Sequence, residues 1–519
     1  MRYRIVIAIS VLLVFNASFI SAQRVLYCAP AEDRFTLRVE LAGRAGSYYW
    51  VQTAKKIGSR EELQFEIYDE RMKPVNTVPF LSFSDTALKE YLVFSESYFE
   101  QLALVAGPGP KTTKVLVKRY DPEGSTWGEA RAVASFPFIE SGNSFLLVRS
   151  ADRSRILLLG FESLTGSTPR LHAILFDQDW RTLYDRVYRH PFITQPMIQD
   201  DYTNYPMENY DKGPVKLANN GQWLMESPSR TNRNYLLFHF NGEDTGVSYK
   251  EMTLPPSSSM EDVDLSISNE REEASAAVLS TFHYDVLKNV RVVHYSMHSK
   301  SFDFDSSYRF STLVSGKVKE DNVVKESFMA VPGNGFLLLK EYGRPFTDWY
   351  EEESTYTDEQ WDPAFLFAEN NIPDNGIRVP VLRDGYAKYR TLGALGGSHE
   401  RGDLGLFYFP SSRSDSAWSG MISKEQVTEL NSPNLSYLMV PVRNKLFFLY
   451  NSFFRGEDPY ATTTILDHRG DLVPEAGVLF WKFKKTNLHF QQSRQISEEE
   501  VVIPYDNNYR RNGFAIVHF

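Results

Sequence analysis

The sequence predicts an all-β protein assembled from a repeating unit of about 50 to 60 residues, and three observations carry that expectation. Aromatic residues make up 14% of the chain, with 29 Tyr and 36 Phe, side chains that suit the pleated surface of a sheet. Strand patterning is frequent: residues 35–41 alternate apolar and polar, while 145–148, 156–159 and 445–450 are almost continuously apolar. The first pattern suits a half-buried strand and the second a strand covered on both faces. Long helical periodicity is nearly absent beyond the N-terminus.

The third observation is a recurring strand end. An aromatic residue closes an apolar run and a small polar residue opens a turn in Tyr68-Asp69, Tyr120-Asp121, Phe176-Asp177, Phe240-Asn241 and Tyr295-Ser296. Successive copies are 52, 56, 64 and 55 residues apart, with looser echoes at Phe407-Tyr408-Phe409 and Ile465-Leu466-Asp467.

Taken in order, the chain opens with a leader. Arg2 and Arg4 precede an apolar run over 5–20, and Ser21-Ala22-Gln23 follows. These are the parts of a secretory signal peptide, with cleavage expected after Ala22. The run is short for a bilayer span and is interrupted by Asn16 and Ser18. Cys28 raises the alternative of a lipid-modified N-terminus, which the bulky Tyr27 before it disfavours. As the one cysteine, it leaves no intrachain disulfide. A periplasmic, cell-surface or secreted location is expected, and a bacterial envelope suits an exported chain without disulfides.

Within 141–191 one unit reads as four strands: 144–148, 155–161, 170–176 and 181–188, with turns at 150–154 and 177–179. Segments 211–256 and 261–311 parse the same way. Four-stranded antiparallel units set in a ring leave few exposed edges. The repeats thus resemble β-propeller proteins in architecture, over most of residues 34–480, without matching a particular family. Asp121-Pro122-Glu123-Gly124-Ser125-Thr126-Trp127 resembles the Asp-box turn of sialidase-type propellers with one residue too many, a structural turn in either case.

Seven blades are expected, with eight as the alternative, because residues 501–505 and 514–519 either close the ring with the N-terminus or form a blade of their own. The sixth blade is interrupted: 328–331 and 336–342 read as its first two strands and 404–409 as its third, leaving an excursion at about 344–401. The implied layout is a leader over 1–22 and one propeller over 23–519. Two stacked β-sandwiches are the competing architecture.

Charge narrows the partners. The net charge is −10 and no Lys/Arg block stands out, which disfavours nucleic acid and anionic lipid. No second stretch is long and apolar enough to span a membrane.

Motifs of catalysis are missing: there is no G-x-S-x-G elbow, P-loop, dinucleotide fingerprint or H-E-x-x-H pair. Arg401-Gly402-Asp403 matches the integrin-ligand tripeptide, and a glycine turn before the strand at Leu404 is the plainer reading. His239, His283, His294 and His298 lie on or beside expected strands, as packed or surface histidines rather than metal ligands.

Two acidic, aromatic tracts remain as candidate ligand-binding sites. One contains Asp200, Asp201, Tyr202 and Tyr205; the other contains Trp349, Tyr350, Tyr356 and Trp361 among carboxylates. Such tracts suit stacking on sugar rings or anchoring a protein partner, against the plainer reading of solvated inter-blade loops. No cofactor is evident. Calcium would find oxygen ligands there but not the regular D-x-D-x-D-G spacing. The expectation is a binding or scaffold protein with a protein or glycan partner. The alternatives are a carbohydrate-active hydrolase or lyase with its site in the central funnel, and a structural subunit with a flat apolar patch.

Overall fold

The computed structural model describes the strands and most short turns between Arg24 and Phe519. Residues 1–23 and a set of connections, the longest being 194–213, 310–322 and 357–375, lie outside the described residues. The described chain forms eight antiparallel sheets of four or five strands and one smaller sheet.

Strand β1 (Arg24–Cys28) stands apart and is taken up last. Blade 1 is β2 to β5 (Thr36–Ala45, Tyr48–Ile57, Arg60–Tyr68, Pro74–Pro79) and blade 2 is β6 to β9 (Ala87–Phe94, Phe99–Ala106, Thr113–Tyr120, Arg131–Phe136). Blade 3 is β10 to β13 (Phe145–Arg149, Arg155–Glu162, Arg170–Asp177, Thr182–Arg189), within a residue or two of the sequence expectation. Blade 4 is β14 to β17 (Val215–Leu217, Trp223–Pro228, Asn234–Phe240, Ser248–Thr253). Blade 5 is β18 to β21 (Ser258–Ser268, Glu273–Phe282, Asp285–Ser296, Ser301–Arg309).

Blade 6 begins with β22 (Val323–Ala330) and β23 (Phe336–Arg344). The chain then leaves to build a separate three-stranded sheet from β24 (Trp349–Tyr356), β25 (Gly376–Arg383) and β26 (Tyr386–Ala394). It returns as β27 (His399–Phe409), which pairs with β23, and finishes with β28 (Trp418–Ile422) and β29 (Gln426–Thr428). The expected interruption of the sixth blade is therefore present. Blade 7 is β30 to β33 (Tyr437–Val442, Lys445–Ser452, Tyr460–Leu466, Leu472–Glu475). Blade 8 consists of β34 (Thr486–Leu488), β35 (Arg494–Ser497), β36 (Glu500–Asn507) and β37 (Asn512–His518), with β1 added outside β37.

Eight apolar clusters show why these sheets form a ring rather than a pair of sandwiches. Each cluster lies between two successive blades: 1 and 2, then 2 and 3, and so on to 7 and 8. The eighth joins Tyr49, Val51, Tyr68 and Met72 of blade 1 to Ile496, Val502, Phe514 and Ile516 of blade 8. The molecule is an eight-bladed β-propeller. Of the two blade counts the sequence allowed, eight is realised because the final strands both form a blade and pair with the N-terminal strand.

Continuous apolar strands follow from this arrangement. In β11, Ile156 and Leu158 face blade 2 while Leu157 and Leu159 face blade 4, so neither pleat face reaches water. The recurring strand end also gains a role. Tyr68, Tyr120, Phe176, Phe240, Tyr295 and Phe409 each close the third strand of their blade, and each is buried in the seam with the preceding blade. Wedging an aromatic side chain into each of these six seams buries much area per residue, at roughly 25 cal/mol per Å².

The polar residue that follows shapes the turn. Asp69 Oδ1 accepts from the backbone N–H of Arg71 (2.9 Å) and Lys73 (2.8 Å), and Asp177 Oδ1 from those of Asp179 and Arg181 (both 2.9 Å). In the Asp-box-like turn, Asp121 Oδ1 accepts from Ser125 N at 2.7 Å. There Gly124 has φ +92°, and a Cβ would lie 2.5 Å from Val78 Cγ2 and 2.6 Å from Ile67 Cδ1.

Candidate functional site

Strand direction divides the ring into two unlike faces. Antiparallel strands alternate, so the second and fourth strands of every blade end on the face where the first and third begin. The opposite face carries the hairpin turns just described. We call these the open face and the turn face.

The turn face is tied by buried polar groups, one set at each of several seams. Glu100, 1% exposed, accepts from Arg119 Nε at 2.8 Å and from Trp180 Nε1 of blade 3 at 2.6 Å. Burial raises the pKa of this carboxyl, partly offset by those two donors. Between blades 4 and 5, His239 Nε2 lies 2.8 Å from Gln222 Oε1 and its Nδ1 lies 2.7 Å from the Tyr295 hydroxyl. An amide oxygen only accepts, so Nε2 carries the proton and Nδ1 accepts from Tyr295. Burial, with a smaller contribution from Lys300, lowers His239 to about 4.

The equivalent histidine one blade on, His294, lies 3.3 Å from Glu273, which also accepts from Arg271 Nε at 2.8 Å. Burial works against the Glu273 carboxylate, but the His294 and Arg271 hydrogen bonds outweigh it and lower the group to about 2. Where blade 8 meets blade 1, Glu500 accepts from Arg44 and from the Tyr49 hydroxyl, with His518 at 3.9 Å. Burial and then the Glu500 bond push the Tyr49 phenol far above its ordinary value. These histidines are committed to packing and hydrogen bonding; His298 lies exposed in a turn, and His283 lies outside the described residues.

The open face is where the acidic tracts attach. Segment 190–214 connects the end of β13 to the start of β14, and 345–398 connects the end of β23 to the start of β27. All four anchor points lie on the open face, so both tracts depart from one side of the ring. Together the two segments hold 14 acidic and 5 basic residues, a net −9 beside −10 for the whole chain.

The individual site residues are placed unevenly. Asp200, Asp201, Tyr202, Tyr205 and Trp361 lie outside the described residues. Trp349, Tyr350 and Tyr356 lie on β24, an edge strand paired with β26 in the register Trp349↔Ala394, Tyr350↔Gly393 and Tyr356↔Ala387. The plainer expectation of an inter-blade loop is corrected for this tract: it is strand over Trp349–Tyr356, and Glu353 sits opposite Arg390. Among the described residues no three His, Cys, Asp or Glu side chains gather as a cation site. Arg401-Gly402-Asp403 is also not a turn; it lies within β27, with Arg401 paired to Gly343 and to Gln426.

Sequence reasoning missed the polar chemistry at the root of the blade-six excursion. The side chains of Glu341 and Lys424 have no exposed surface and form an ion pair there. The signal was available: Lys340-Glu341 interrupts the apolar run within 336–342, the expected second strand of the sixth blade.

Comparison with known proteins identifies no family for this chain. No protein-family description matches the chain, and no curated sequence relative is found. Among solved structures, the Dos1 propeller is similar at 9% identity over 94% of this chain and 93% of that one, with a TM-score of 0.41. The WD40 domain of SCAP from fission yeast is similar at 8% identity over 96% and 94%, with a TM-score of 0.37. Similarity at this level assigns neither ligand nor activity, and the propeller assignment rests on the strand order and the eight seams.

Proposed function

We propose that this chain is an exported binding propeller whose partner, a protein or a glycan of the cell envelope, docks on the open face. The observation that carries the reading is the shared departure of both acidic, aromatic tracts from that face, with −9 of the net −12 of residues 23–519 on them. Tyr and Trp are favoured anchors at interfaces, and loops set on a rigid scaffold carry function disproportionately. The negative field favours a cationic or uncharged partner over an anionic polysaccharide.

Export rests on the leader pattern, and the position of β1 supports cleavage after Ala22 over processing at Cys28. A chain beginning at Cys28 would lose Arg24, Val25, Leu26 and Tyr27, four of the five residues that pair with β37. A chain beginning at Gln23 keeps all five. Among the described residues no helix is long and apolar enough to cross a membrane.

The test is binding of the chain from Gln23 onward to a glycan array and to envelope proteins, beside a variant with residues 345–398 replaced by Asn-Gly. Binding that disappears in the variant supports the open-face reading. Equal binding by both proteins contradicts a role for the excursion.

A further inference from the structure

The outermost strand of blade six is broken. β28 ends at Ile422 and pairing resumes at Gln426, where β29 runs beside residues 399–401 of β27 in the register His399↔Thr428, Glu400↔Val427 and Arg401↔Gln426. On their other side, Glu400 and Arg401 pair with Arg344 and Gly343 of β23. The excursion 345–398 therefore leaves and re-enters the ring through a three-stranded stalk.

Lys424 sits in the break. Its ammonium donates to Glu341 of β23 and, at 2.9 Å, to Gln426 Oε1, while its backbone N–H donates to Asp403 Oδ1 at 3.1 Å. A chain of bonds continues across the open-face ends of the next two blades. Gln426 Nε2 donates to the Asn451 carbonyl of blade 7 at 2.6 Å, and Asn451 Nδ2 donates to the Leu488 carbonyl of blade 8 at 2.9 Å.

A wholly buried ion pair is an expensive way to fill space. Desolvating two charges costs several kcal/mol, and apolar side chains of the same volume often serve stability as well or better. What the ionic pair supplies is direction. Its bonds are satisfied in one register of β29 against the stalk, and a slip of one residue would turn Gln426 to the opposite face.

We propose that the Lys424–Glu341 pair is a positioning device that locks β29 onto the stalk and so fixes how the excursion is carried on the open face. The inference deepens the open-face reading, since that reading says what the stalk is held for. Its test uses no ligand, so the two ideas fail separately.

The test is hydrogen exchange measured by mass spectrometry on the chain from Gln23 onward. Three proteins are compared: the parent, Lys424→Met, and the double variant Glu341→Leu/Lys424→Met. The single variant strands a buried carboxylate and is expected to be destabilised. In the double variant the denaturation midpoint should match or exceed the parent's. Amides of 399–403 and 426–428 should exchange about tenfold faster or more, while those of seam strands such as β11 and β36 stay protected. Stalk protection equal to the parent's would overturn the proposal. So would a lowered midpoint with a uniform rise in exchange, because the pair would then be a general stability element.

Discussion

Arg44 on the first blade and Glu500 on the last form an ion pair across the closure of the ring, and the Tyr49 hydroxyl donates to the same carboxylate. The ring thus has two closures, this joint on the turn face and the β1–β37 ladder at the rim. Glu500 is only 3% exposed, so replacing it by Gln removes the charge that both donors were arranged around. Glu500→Gln should cost about 1 to 3 kcal/mol, read as a lower midpoint in urea, with little change in the dependence on denaturant.

The seam between blades 4 and 5 should make stability depend on pH. His239 titrates near 6.5 when unfolded and is lowered to about 4 in the fold, so the unfolded chain binds the extra proton between those values. The stabilising contribution is complete above pH 6.5 and is lost as the pH falls to 4, to the extent of up to about 3 kcal/mol. Glu273, lowered from 4.5 to about 2, adds a second loss between those values. Denaturation curves from pH 7 to pH 3 should show both limbs, and His239→Gln should flatten the first while leaving the second.

The rim closure gives a processing test. Mass spectrometry of the mature protein should find Gln23 at its N-terminus. A lipid-bearing Cys28 would contradict the account. A chain truncated to begin at residue 31 should lose the outer strand of blade 8, expose the edge of β37 and aggregate more readily than the parent.

How far the sequence revealed this fold depends on which signals are local. Phe176-Asp177 and its copies are local, because an aromatic wedge and an Asx turn must sit together at the strand end, and so the repeat was readable. Blade 8 was harder. Its inner strand is split into Thr486–Leu488 and Arg494–Ser497 and its outer strand comes from the other end of the chain, so no single window holds the unit. Pairs such as Arg44 with Glu500, or Glu341 with Lys424, are 456 and 83 residues apart. Nothing in a one-dimensional reading joins them, although Arg44 and Glu341 each interrupt an apolar stretch. In Trp349–Tyr356 three consecutive glutamates hide the strand alternation, so the sequence alone favours a loop there.

The excursion should be dispensable for folding. β23 and β27 remain paired out to Arg344↔Glu400, so replacing 345–398 by Asn-Gly leaves a three-residue loop, Asn-Gly-His399, between strands already in register. The shortened protein should keep its denaturation midpoint within about 1 kcal/mol of the parent's stability. A large loss would mean that the inserted sheet supports the ring.

The central claim is that the partner docks on the open face. Cross-linking mass spectrometry on the native protein in its own envelope tests it most directly, with lysine- and carboxylate-reactive linkers. The account predicts partner cross-links concentrated in 190–214 and 345–398, with the turns at 69–73, 121–125 and 177–181 left unmodified by the partner. Cross-links concentrated on those turns would contradict it and move the binding surface to the opposite side of the ring.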